Sequence, residues 1–131
     1  MKKIISFSLL CVCVLLLAGC AKETPGAAAK RQVENLLKGN TDQYIKDLYY
    51  GDQKPAESDI TMLRGLFEAS VQKMKEEKGG VPTIKVISEK ISDDGKRADV
   101  TLLYSYKNGD ESEEDVEMVN DNGKWKMELS K

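Results

Sequence analysis

The chain has 131 residues, 40% hydrophobic and 32% charged, with 20 basic against 22 acidic side chains, a formal net charge of −2 and no histidine. That balance opposes nucleic-acid binding, which draws its affinity from basic side chains neutralising phosphates. Without histidine, the side chain that titrates nearest neutrality and most often ligates zinc is missing too.

The chain opens with Met1-Lys2-Lys3, an apolar run from Ile4 to Ala18, and then Leu17-Ala18-Gly19-Cys20. A basic start, a short apolar segment and small residues before a cleavage point make a secretory signal. The run is shorter than the ~20 residues a membrane-crossing helix requires, and Lys22 and Glu23 follow directly. The leader resembles that of bacterial lipoproteins, with Leu17, Ala18 and Gly19 as signal-peptidase recognition residues. That resemblance implies removal of residues 1–19 and acylation of Cys20, whose lipid would hold the domain at a membrane; two or more acyl chains anchor firmly.

On that resemblance Cys11 and Cys13 fall in the leader and Cys20 would be taken by lipid, so no cysteine would remain for a disulfide or for thiol chemistry. The mature chain keeps 112 residues, 18 basic and 22 acidic, for a side-chain charge of −4. This length suffices for one hydrophobic core. Residues 20–26 read as the lipidated cysteine and a tether reaching roughly 20 Å, and residues 27–131 as a single domain.

From Ala27 to Lys38 the spacing of Ala29, Val33, Leu36 and Leu37 predicts a helix that stops at Gly39-Asn40. Thr41 then caps a second helical segment carrying Tyr44, Ile45, Leu48 and Tyr49. After a break at Gly51-Asp52 and Pro55, Ser58 is the expected cap of a long helix. Its stripe is Ile60, Leu63, Phe67, Val71 and Met74, and it ends at Gly79-Gly80. Gly65 inside that helix costs ~1 kcal/mol relative to Ala, so a close approach of the helix to a sheet is expected there.

The second half changes period. Thr83–Ile91 is β-branched, Ala98 to Tyr106 alternates, and Val116 with Met118 and Trp125 with Met127 and Leu129 alternate again. Asp94-Gly95, Asn108-Gly109 and Asn122-Gly123 between these runs are tight-turn dipeptides. Four runs joined by three turns predict an antiparallel meander, and helices first with hairpins after make an α+β domain.

A lipobox, a short tether, a Gly-Asn/Thr-Asp helix junction, a long helix and a final Asn122-Gly123-Lys124-Trp125-Lys126-Met127 strand resemble envelope lipoproteins of the NTF2-like superfamily, specifically the DUF4878 group. The resemblance implies an NTF2-like (cystatin-like) cone, with N-terminal helices on a curved four-stranded sheet and sometimes a pocket between them.

Such a fold invites comparison with ketosteroid-isomerase-type enzymes, in which a carboxylate base and a tyrosine act inside an apolar pocket. Asp99, Asp115, Glu117 and Glu128 are out of phase with the apolar strand residues and should face away from any pocket. Serines such as Ser70 and Ser105 lack a histidine base, and the glycines match no phosphate loop. Asp110, Glu111, Glu113, Glu114 and Asp115 lack EF-hand spacing and read as a solvated hairpin rather than a metal site. Neither a catalytic residue nor a cofactor is expected.

The aromatic residues Tyr44, Tyr49, Tyr50, Tyr104, Tyr106, Phe67 and Trp125 suit either a core or a cavity wall. Phe67, Tyr104, Tyr106 and Trp125 are the candidate pocket residues. The expected function is a non-catalytic accessory or protein-binding lipoprotein of the bacterial envelope, with capture of a small apolar or amphipathic ligand as the alternative. Expected partners are the membrane, through lipid, and a protein or small ligand; nucleic acid is not among them. Ala21 rather than Asp follows the cysteine, which favours the outer membrane where two membranes exist.

Overall fold

The computed structural model describes residues 23–129. Cys20, the expected lipidation site, and Leu17, Ala18 and Gly19, the expected signal-peptidase recognition residues, lie outside the described residues.

Helix α1 spans Pro25–Leu37, two residues earlier than the apolar spacing indicates. Proline costs nothing in the first helical turn, where its missing N–H would have no partner, and the Thr24 hydroxyl accepts from the Ala27 N–H at 3.1 Å. Pro25 and Gly26, read from sequence as tether, are therefore a buried first turn of the domain. Upstream, Glu23 accepts two hydrogen bonds of 2.9 Å from the Arg31 guanidinium.

Gly39, at φ +93°, turns the chain out of α1. Helix α2, Thr41–Lys46, follows, with Asn40 rather than Thr41 at the cap position and Thr41 buried in the first turn. Leu48 then bridges to Met127 in parallel, and the Tyr49 N–H donates to the Met127 carbonyl at 2.8 Å. Helix α3 spans Glu57–Lys78 and begins one residue before Ser58. Ala56, not Ser58, holds the cap position, and the Asp59 carboxylate in the first turn accepts from the Ala56 N–H at 3.3 Å, the reciprocal bond of a capping box.

Strands β1 (Thr83–Ile91), β2 (Arg97–Ser105), β3 (Glu111–Asp121) and β4 (Lys124–Glu128) form one antiparallel sheet in chain order, the expected meander. Asn122 and Gly123 both take positive φ, 54° and 89°, as a two-residue hairpin turn of type I′ requires. The other two turns are longer, and Tyr106 leaves the ladder to close the second, its carbonyl accepting from the Gly109 N–H at 3.0 Å. A bulge at Ile87 shifts the phase of β1, so that Glu89 pairs with Val100 and Ile91 with Ala98.

The core lies between α1, α2 and one face of this curved sheet. Ala28, Ala29, Val33 and Leu37 of α1 meet Val100, Leu102, Met118 and Met127 from three strands. The long helix is placed differently from expectation. No Cα of α3 comes within 8 Å of any strand Cα; the helix leans on α2 and α1. Only Val71 of its apolar stripe is buried, with Ile60, Leu63, Phe67 and Met74 partly covered. Gly65 is exposed, a Cβ there would meet nothing within 4 Å, and no contact in the described structure explains it.

Candidate functional site

Because α3 stands off the sheet, the concave face is roofed but not filled. The helix is fastened at two places. In its first half, the Arg64 guanidinium contacts the Asp42 carboxylate at 2.6 Å, and Phe67 packs edge-on against the Tyr44 ring at 5.1 Å between centroids and 83° between planes. At its last residue, the Lys78 ammonium lies 2.9 Å from Asp110 and 5.5 Å above the Tyr106 ring. Between these fastenings lies a cleft of about 1350 Å³.

Its wall on the α1 side is Val33, Leu36 and Leu37, its roof Ser70, Val71 and Met74, and its floor Tyr104, Val116 and Met127. Tyr44 closes one end, and Tyr49 and Tyr50 stand where the cleft continues past β4. Of the four candidates from sequence, only Tyr104 lines this space. Phe67 is turned onto Tyr44, Tyr106 is covered by Lys78, and Trp125 packs against the core beside α1, where its carbonyl accepts from the Gln32 amide at 3.0 Å.

The acids sort as strand phase requires, with one addition. Asp99, Asp115, Glu117 and Glu128 alternate with the core residues of their strands, and the cleft reaches them only where it wraps round the sheet edge. There Arg97 pairs with Glu117 at 3.7 Å and with Glu128 at 2.9 Å, and the Thr101 hydroxyl donates to Asp115 at 2.8 Å. Glu114 differs: it is two residues from Val116 and four from Met118, and it pairs across from Leu102. It therefore projects from the apolar side, into the cleft. The pattern was visible in the sequence, since a period of two carried back from Met118 and Val116 lands on Glu114.

Burial raises three of the cleft phenols. It pushes the Tyr44 phenol up to about 12, helped by nearby Tyr50, and it raises Tyr50 as well. Tyr104 is raised further, by burial first and then by the negative charge of Glu114. The Tyr44 hydroxyl donates to the Met127 sulfur at 3.6 Å and that of Tyr50 to the Ile45 carbonyl at 2.6 Å. The acidic hairpin is dispersed: Asp110 is held by Lys78 and Asn108, Glu111 by Ser105 and Asp115 by Thr101. Among the described residues no group of three or more His, Cys, Asp or Glu is arranged to hold a metal ion.

A four-stranded antiparallel meander curved round helices, with a cleft on its concave side, defines an NTF2-like domain. The chain belongs to the family DUF4878, a domain of unknown function, whose pattern it matches over residues 18–128. Among solved structures it is similar to an NTF2-like protein of Campylobacter jejuni named as a candidate transpeptidase, with TM-score 0.66 and 19% identity over 82% of this chain and 100% of that one. At that identity the likeness establishes the fold alone. The intermembrane-space region of the chloroplast protein ARC6 (TM-score 0.40, 13% identity, 82% of this chain and 95% of that) is more distant. So is Aln2 from a Streptomyces species (TM-score 0.39, 13% identity, 74% and 78%). No curated protein matches the chain in sequence.

Proposed function

We propose that this protein is a lipid-anchored, non-catalytic binding module of the bacterial cell envelope, and that the cleft beneath α3 holds the apolar body of its guest. The observation that carries this reading is the gap itself: a long helix kept clear of a sheet whose facing side chains are mostly apolar, leaving about 1350 Å³ open. Ligand sites are concave, mostly apolar and furnished with a few polar groups, and this cleft has that character.

The non-catalytic part rests on chemistry. The cleft contains one inward carboxylate, Glu114, and one serine, Ser70, with no histidine in the chain to act as a base toward it. The membrane part rests on Leu17-Ala18-Gly19-Cys20 and on the three-residue link before Glu23, which would hold the domain close to a bilayer surface.

Two measurements test the reading. Metabolic labelling with a fatty-acid probe should tag the wild type and not Cys20→Ala; equal tagging and equal membrane association of both would exclude the anchor. Mass spectrometry of the protein purified from its own envelope under native conditions should reveal a retained small molecule. Replacement of Val71 by Trp, which intrudes on the cleft from its roof, should reduce that adduct, and an undiminished adduct would move the guest elsewhere.

A further inference from the structure

The hairpin joining β2 and β3 already binds one ammonium group. Lys78 from α3 sits 5.5 Å over the face of Tyr106 and 2.9 Å from the carboxylate of Asp110, a cation held by an aromatic face and an acid together. Further along the same two strands, Tyr104 and Glu114 repeat that pairing of groups on the cleft side. There the cation is missing. Glu114 makes no ion pair among the described residues, and no Lys or Arg lines the cleft. We propose, resting on the reading of the cleft as a binding site, that it takes an amphipathic amine, with its ammonium between Glu114 and the Tyr104 ring and its apolar body against Val71, Met74 and Val116.

The physical case has two parts. An unpaired carboxylate at the edge of an apolar cleft repels carboxylate and phosphate head groups and attracts a cation, and tyrosine faces add to that attraction. The Tyr104 phenol remains uncharged, so it contributes its ring and its hydroxyl rather than a second negative charge. The apolar body is held by contact with the partly exposed Met74 and Val116, beside the buried Val71, which supplies affinity without selecting charge.

The test uses the mature acylated protein in zwitterionic nanodiscs and three probes of one shape: 4-phenylbutylamine, 4-phenylbutanol and 4-phenylbutyrate. Binding is followed by the methyl resonances of Met74, Val71 and Val116, with empty nanodiscs as the partition control. The amine is expected to bind tightest, and Glu114→Gln to weaken it about fivefold while leaving the alcohol unchanged. Glu113→Gln, on the other face of the same strand and away from the cleft, should leave all three unchanged. Equal binding of the three probes, or an amine affinity indifferent to Glu114→Gln, overturns this inference and leaves the cleft reading standing. Failure of every probe to move the three methyl signals overturns both.

Discussion

Two glycines inside helices occupy opposite surroundings. At Gly26 an added Cβ would lie 2.6 Å from a Glu89 carboxylate oxygen and 2.9 Å from a Val86 methyl, so α1 approaches β1 there only because no side chain intervenes. The carboxylate can swing aside, but the branched valine cannot move as freely. Gly26→Ala should therefore destabilise by about 1–2 kcal/mol, the cost of overpacking. Gly65→Ala, in an exposed helical position with nothing nearby, should stabilise by about 0.5–1 kcal/mol. Urea midpoints of the two variants must move in opposite directions, and a shared sign would contradict the contrast. Sequence alone inverts this pair: Gly65 stands out inside a long helix, while Gly26 follows a proline and reads as linker. Only the distance to β1 reveals which glycine is constrained.

At the level of elements, α1 and β4 are joined by a side chain that imitates a strand. Gln32 is fully buried; its amide nitrogen donates to the Trp125 carbonyl at 3.0 Å, and its amide oxygen accepts from the Met127 N–H at 3.2 Å. One side chain thus satisfies both backbone polarities of β4 where no neighbouring strand does so. Gln32→Met keeps the length and removes both bonds, which should cost about 2–4 kcal/mol because the backbone groups stay buried without partners. Loss of less than about 1 kcal/mol, the net worth of a single ordinary hydrogen bond, read from the urea transition of Trp125 fluorescence, would contradict this account. The strands and turns were legible in advance because their period and their Asn-Gly dipeptides are local signals. Gln32 was not, since a polar residue beside Val33 reads as the solvent face. The offset of α3 was not legible either, because an apolar stripe says that a helix is covered and not by what. Here the covering comes from α2 and α1.

For the molecule as a whole, the buried phenols set a limit on alkaline stability. Tyr44 holds its proton up to about pH 12 when folded, against an ordinary 10.0, so the unfolded chain loses that proton first. The stability this contributes is complete below pH 10 and is lost as pH rises toward 12, on the order of 2–3 kcal/mol, with Tyr104 acting in the same direction. Stability measured between about pH 9 and 12 should fall in the wild type and fall less in Tyr44→Phe; parallel curves would contradict the assignment. A second prediction follows from the division between a core of α1, α2 and sheet and a helix that only leans on it. Amides of Val71 and Met74 should exchange about tenfold or more faster than those of Leu102 and Met118. Uniform protection would mean that α3 belongs to the same cooperative unit.

The two fastenings of α3 also give the opening a length. The helix is a beam on two piers, one at Phe67 and one at Lys78. At ~1.5 Å of rise per residue they stand roughly 16 Å apart. A rigid occupant shorter than that span fits with both supports intact. A longer one must lift the beam off Asp110, so the protein carries a ruler whose far mark is a single exposed ion pair.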